Sequence, residues 1–422
     1  MSAAESITLS NFELTRFFFA IVLLLVFSHF FGYVFHKYKL PKVIGEIFGG
    51  FLLGPSVLGH FFPHVHKWLF SAFAEEGKLI SLIYWFGLIL LMFVSGFEIQ
   101  KRYSGEDKRI VGAVILGATV IPFFAGWLAP SIYDFSGYIG PKNNMLALQI
   151  VIAIAVAVTS IPVISKIFID LDVLHSRFAK VVLAAATIQD IILWIALAIA
   201  TGLVSAATIS FAGITSSVLI TVAFFILTLV FMPKVMHFAN TLKYNLLIKS
   251  SVAGYVLFIC FLFSALASIL SVNIVFGAFL AGIAIGLMPN EKFEKEKNHV
   301  KEIGLAFFIP IYFAIVGLKL DLIRHFDLGF LLWFLLFSSF FELTGTMIVA
   351  KIIKKDWLSS FNLGVAMNTR GGPGIVLATV VFDLGIINET FFVVLVLAAI
   401  ITSFVAGYWF RYVLSKGWEL LK

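Results

Sequence analysis

The chain has 422 residues, of which 61% are hydrophobic and 13% charged. A soluble domain averages about 25% charged, so this balance excludes a water-soluble globular protein and marks a membrane-embedded one. The net charge of +7 would suggest nucleic-acid binding in a soluble chain, but here the placement of the basic residues gives it another cause.

A spanning helix needs about 20 mostly apolar residues, and the apolar runs predict an all-α polytopic protein of about 13 such helices. The first run, 14–36, has little positive charge before it and no small-residue cleavage site, so it reads as a retained helix rather than a signal peptide. The second, 41–59, reads "LPKVIGEIFGGFLLGPSVLG". Gly45 with Gly49, and Gly50 with Gly54, have the small-xxx-small spacing that lets helices approach closely. Glu46, near the basic end of this run, reads as structural and paired with a loop lysine. Runs at 79–97 and 109–130 follow.

The fifth run, 145–168, contains "LQIVIAIAVAVTSIPVISKIF", with Thr159, Ser160 and Pro162 inside it. Proline has no N–H and clashes with the carbonyl four residues back. Irregular backbone at membrane depth is tolerated only when buried in protein or lining a cavity. The freed carbonyls and hydroxyls could coordinate a cation, or the helix could simply be kinked; the residues alone leave both open. The sixth run, 178–202, carries Gln189 and Asp190 in "AAATIQDIILWIALAIA". An aspartate at mid-bilayer costs roughly 2.5–3.5 kcal/mol on insertion scales, and such residues mark ion and proton paths.

Runs at 212–233, 247–271 and 273–289 come next, the last two divided only by "SVN". Cys260, the single cysteine, lies in one of them, so there is no disulfide framework. After 302–320, the eleventh run (328–352) holds Glu342, which could pair with Arg370, titrate, or bond to a hydroxyl. The twelfth, 359–386, reads "LGVAMNTRGGPGIVLATVVFDLGII". Asn368, Thr369, Arg370, Gly371, Gly372, Pro373 and Gly374 break it, since glycine and proline at this density do not sustain a helix. The last run is 391–413. Two interrupted segments in corresponding halves point to a transporter built from inverted repeats. Arg370 reads more as an ion-pair partner than as a direct ligand.

Cytoplasmic loops are rich in Lys and Arg. With the N-terminus outside, Arg16, Lys67, Lys78, Lys142, Lys319 and Arg324 fall on the outer side and Arg370 falls within a span. All the other lysines and arginines, including Lys39, Lys101, Arg102 and Lys243, fall inside. The basic excess is therefore a topology signal, with the C-terminus cytoplasmic.

Taken together, the stretches "KVIGEIFGGFLLGPSVLG", "LLMFVSGFEI", "VTSIPVISKIFIDLDVL", "AAATIQDIILWIA", "FGAFLAGIAIG", "FFIPIYFAIVGLKLDL" and "RGGPGIVLATVVFDLGII" resemble the second monovalent cation:proton antiporter family, most closely its Kef-type potassium/proton branch. They run in the family order across nearly the whole chain. The resemblance implies a NhaA-like fold with two crossed broken helices, an ion-binding core bundle interleaved with a dimerisation bundle, and a homodimer working by elevator-like alternating access. It implies that Asp190 carries the ion and proton, that Thr159 and Ser160 belong to the first broken helix, and that Arg370 follows the break of the second. Gln189 matches the glutamine of Kef-type members, which favours potassium over sodium. Many relatives have a basic residue where Glu342 stands, so the sign is reversed here. Kef proteins also carry a soluble nucleotide-binding domain. This chain stops soon after its last helix, so the expectation is a single membrane domain over 1–422, with any such regulation absent or in a separate subunit.

The mechanism expected from these residues is competition for one carboxylate. Asp190 holds a proton or a cation, and burial disfavours its free charged form. No cofactor is expected, and no GxxxxGK[ST] phosphate loop is present. Rivals are a cation channel of the same fold, an organic-anion transporter anchored on Arg370 and helix N-termini, and a membrane enzyme. For the last, no HExxH or GxSxG motif occurs. A bacterial inner membrane is the expected location.

Overall fold

A computed structural model describes residues 9–38, 40–98, 108–205, 211–231, 234, 246–287 and 291–422. Lys39, Lys101, Arg102 and Lys243, used above for orientation, lie outside the described residues. Among those described, the chain is helical, with no strand beyond an isolated bridge between Ile139 and Ile387. Among the described residues, ten helices are long and apolar enough to cross a membrane, and each coincides with a predicted span. The other three predicted spans are built differently. The 212–233 span is Phe211–Ile226 followed by a π-helical stretch, Leu227–Phe231. The 273–289 span is the 13-residue helix Ile274–Gly286. The 359–386 span is two helices, Trp357–Met367 and Gly371–Asp383. The short "SVN" divider is a true turn: Ser271 has φ 57°, and the Asn273 side chain caps the next helix.

The chain divides into two compact units, 1–91 with 300–324, and 92–299 with 325–422. In the first, Ser10 and Glu13 form a capping box that starts Asn11–Lys37. This helix packs on Lys42–Leu53, which packs in turn on Ile309–Leu318. The glycines set the distance. A Cβ on Gly45 would stand 2.3 Å from the Phe31 carbonyl oxygen, and on Gly49 2.5 Å from that of Phe27. On the other side, a Cβ on Gly50 would lie 1.7 Å from the Ala314 carbonyl oxygen. Gly54 is looser, at 3.2 Å from its nearest neighbours. The expected partner of buried Glu46 is Lys42, one turn back at 3.3 Å.

The second unit contains a trio of elements that occurs twice. A long helical span (Lys108–Ser131), a broken one (Met145–Ala157 then Ile161–Asp170) and a long one (Arg177–Ser205) correspond to Leu328–Ile352, the pair Trp357–Met367 and Gly371–Asp383, and Glu389–Ser415. The leading members of the two trios cross at Gly117 and Gly345, and the contact is reciprocal. A Cβ on Gly117 would meet the Gly345 carbonyl oxygen at 2.7 Å, and a Cβ on Gly345 the Gly117 carbonyl oxygen at 2.5 Å. Such exchange is what two repeats related by an axis produce.

These crossings are testable by adding one methyl group. Gly50→Ala should destabilise the protein by about 1–3 kcal/mol or prevent folding, because backbone on both sides must move. Gly112→Ala, in a helix and with nothing within 4 Å of the added carbon, should be neutral or stabilising by up to about 1 kcal/mol. Thermal melts in detergent compare the two, and equal losses would show that the glycine does not set the packing distance.

Candidate functional site

The two broken helices meet at their breaks. In the first, Met145–Ala157 ends, Val158, Thr159 and Ser160 are extended, and Ser160 caps Ile161–Asp170 by accepting from Val163 N at 3.3 Å. Pro162 sits in the first turn, where its missing N–H costs nothing. In the second, Asn368, Thr369 and Arg370 separate Trp357–Met367 from Gly371–Asp383. The breaks are stitched together. Ser160 N donates to the Thr369 carbonyl, Thr159 Oγ1 donates to the Met367 carbonyl, and Ser160 Oγ accepts from Gly372 N at 3.2 Å. Gly371, at φ 33°, lies so close to Ser160 that a Cβ would be 2.6 Å from its hydroxyl oxygen.

Proline chemistry explains which carbonyls are free to be used. A proline cannot donate to the carbonyl four residues earlier. Pro373 therefore releases the Thr369 carbonyl, which Ser160 N takes. Pro122 releases that of Ala118, inside a π-helical stretch, and Gln189 Nε2 takes it at 2.9 Å. In the other unit Pro310 releases that of Ala306, which bonds to His29 Nε2 at 2.9 Å.

The negative end of Met145–Ala157 is covered by two side chains. Gln189 Nε2 donates to the Ala157 carbonyl at 2.6 Å. Arg370 donates from Nε to Ala155 O and from Nη2 to Val156 O, each at 3.2 Å. Arg370 Nη2 also pairs with Glu342 Oε2 at 2.8 Å, both side chains being buried. Thr159 Oγ1 stands 3.4 Å from Glu342 Oε1, and Arg370 N donates to Thr402 Oγ1 at 3.3 Å. Of the three possibilities open for Glu342 from sequence, the structure shows the ion pair with Arg370.

Asp190 differs. It is 7% exposed, on the helix Arg177–Ser205, which packs against Met145–Ala157, Ile161–Asp170 and Trp357–Met367. Among the described residues no basic side chain pairs with it, and its Oδ1 is buried without a hydrogen-bond partner. Gln189 Oε1, Asn368 Oδ1, Thr119 Oγ1 and Arg370 Nη1 are likewise buried and unpartnered. Native proteins seldom leave such groups, and three of them are carbonyl or carboxylate oxygens, the atoms a hard cation takes as ligands.

The structure thus brings Thr159, Ser160, Thr369, Gly372, Glu342 and Arg370 into one network, with Gln189 attached through Ala157. The hydroxyls of Thr159 and Ser160, read from sequence as cation ligands or bystanders of a kink, are engaged in holding the two breaks together. Sequence reasoning missed the carbonyls of Ala118, Ala155, Val156 and Met367, and Thr402. Only Ala118 had a signal, the proline four residues after it.

A family description of sodium/hydrogen exchangers, covering their transmembrane part, matches residues 21–416. The chain is 29% identical to K(+)/H(+) antiporter 1 of Saccharomyces cerevisiae, over 94% of this chain and 46% of that one. It is 27% identical to the Na(+)/H(+)-K(+) antiporter GerN of Bacillus cereus, over 94% and 96%. It therefore spans about half the length of the yeast relative and nearly all of the bacterial one. The sodium/proton antiporter NhaP1 of Methanocaldococcus jannaschii has a similar fold, with a TM-score of 0.67 at 12% identity, covering 94% of this chain and 97% of that one. With helices broken and crossed within an all-helical membrane fold, and a family match over nearly its whole length, the chain belongs to the sodium/hydrogen exchanger family, a family of transporters.

Proposed function

We propose that the chain is a secondary active monovalent cation/proton antiporter in which cation and proton compete for Asp190 during alternating access. The observation that carries this is the contrast between two buried carboxylates. Glu342 has its counter-charge in Arg370. Asp190 has none among the described residues. An uncompensated buried charge costs several kcal/mol, and Asp190 can remove that cost by holding a proton or a monovalent cation. Each occupant displaces the other, which couples their movement without ATP. Because Glu342 and Arg370 neutralise each other, one proton exchanged for one cation leaves the site with unchanged net charge, and transport is electroneutral.

Gln189 Oε1 and Asn368 Oδ1 are neutral oxygens suited to complete the cation's shell. The cation is potassium in preference to sodium. Gln189 supports this, as do the names of the yeast and Bacillus relatives, both of which include potassium. An organic anion anchored on Arg370 is less well supported, since its Nε and both N–H groups of Nη2 are already bonded to Ala155, Val156 and Glu342. A homodimer, a division into dimerisation and ion-carrying bundles, and an inner-membrane location with the N-terminus outside complete the proposal. The charge distribution and the bacterial relative support the last of these.

Asp190→Asn should abolish cation-driven proton movement in sealed vesicles while leaving the thermal melt intact, because an amide does not titrate. In the parent, where the proton dominates the site, acidifying by one pH unit should raise the apparent KM for the cation by about tenfold. Coupled exchange surviving in the Asn variant would sink the central claim.

Glu342→Gln leaves Arg370 as a buried unpaired cation and should destabilise the protein by about 3–5 kcal/mol. The exchanged pair, Glu342→Arg with Arg370→Glu, should recover part of that loss. Solid-supported-membrane recordings should detect almost no current from the parent. A steady current that vanishes in Glu342→Gln, with turnover retained, would instead make Glu342 a second proton carrier.

The orientation is checked with cysteines introduced at Lys142 and Lys295 in a Cys260→Ala background. An impermeant thiol reagent should reach the first only from outside and the second only from inside; labelling of both from one side refutes the topology.

A further inference from the structure

Leu328–Ile352, the helix that carries Glu342, ends in a run of basic residues, and a groove of about 550 Å³ lies along that end. Its lining is Thr344, Met347, Ile348, Lys351, Ile352 and Trp357, almost wholly apolar apart from the lysine. Ile348, Ile352 and Trp357 are 57%, 70% and 68% exposed, so the groove opens outward, and in a membrane protein an outward apolar wall faces lipid. Its polar end is specific. Lys351 Nζ stands 4.5 Å over the Trp357 ring and donates to the Lys355 carbonyl at 3.0 Å, which leaves two of its three donors for a ligand. Lys354 is exposed in the same turn, at φ 66°, a position that usually falls to glycine. The acidic residue of the turn, Asp356, uses Oδ2 to cap Trp357–Met367 through Ser359 N at 3.2 Å. Lys355 is held by the Lys422 carbonyl.

We propose that this groove is a binding site for one anionic phospholipid, with an acyl chain along Thr344, Met347, Ile348 and Ile352 and the phosphate at Lys351 and Lys354. Three features select this occupant. The wall is apolar over about two turns, as an acyl chain requires. Two lysines with free donors stand at one end only. A tryptophan marks the level at which headgroups meet water. Basic residues next to a span attract anionic lipid, each contributing roughly as much as one near-surface charge. The volume is that of an ordinary ligand site, about 300–1,000 Å³. The lipid would sit at the joint between the helix of Glu342 and the second broken helix, since only Ile353 to Asp356 separate them.

The test uses native mass spectrometry of the full chain, delipidated in detergent and then titrated with phosphatidylglycerol or phosphatidylcholine of matched acyl chains. One phosphatidylglycerol per chain should be retained in preference to phosphatidylcholine. Lys351→Gln with Lys354→Gln should lower that preference by about tenfold or more, while Lys351→Arg with Lys354→Arg keeps it; thermal melts confirm that both variants are folded. Equal retention of the two lipids by the parent, or a preference that the double Gln variant leaves unchanged, overturns the site. So does efficient cross-linking between chains through Ile348→Cys in a Cys260→Ala background in lipid bilayers, which would seat a second copy of the protein in the groove.

Discussion

A helix interrupted inside a bilayer frees carbonyls and amides where no water can satisfy them, and each one left bare costs several kcal/mol. The second unit of this protein is organised around that requirement. Two interruptions are placed against each other so that the backbone and a hydroxyl of one satisfy the backbone of the other, Ser160 N with Thr369 O and Gly372 N with Ser160 Oγ. What the backbone cannot reach, Gln189 and Arg370 cover, on the carbonyls of Ala155, Val156 and Ala157. Both side chains must lie within a few ångströms of the crossing, which fixes the helices that carry them.

The charge arrangement follows from the same geometry. Arg370 is drawn in because the C-terminal end of a helix is electronegative, and a buried cation then needs an anion, which Glu342 supplies. A basic residue at the position of Glu342 would have left two cations together beside the breaks. Once that pair is closed, Asp190 is the buried carboxylate of the site that has no basic partner among the described residues.

Close helix approach supplies the rigidity such a network needs. Gly117 against Gly345, and Gly50 against Ala314, bring backbone to backbone with no side chain between. Packing of this kind is discrete, because a helix pair in contact through glycines has few intermediate positions.

The sequence by itself determined the solvent, the class of fold and the exceptional residues. Apolar length marked the ten helices that satisfy a spanning criterion, and proline and glycine density located the second break while Pro162 marked the first place as either a break or a kink, because these are properties of consecutive residues. It also singled out Asp190 and Gln189, since a carboxylate and an amide in an apolar run need no tertiary information to stand out. The partners of those residues belonged to the tertiary structure alone. Glu342 and Arg370 are separated by 28 positions, and Thr159 and Met367 by 208, so no local pattern says that they touch. Sequence left Glu342 with three possible roles, and only the crossing of the helices places a guanidinium 2.8 Å and a hydroxyl 3.4 Å from its carboxylate. Likewise the sequence could not say that the hydroxyls of Thr159 and Ser160 reach the second break, Thr159 on the Met367 carbonyl and Ser160 on Gly372 N, because those partners are distant in the chain.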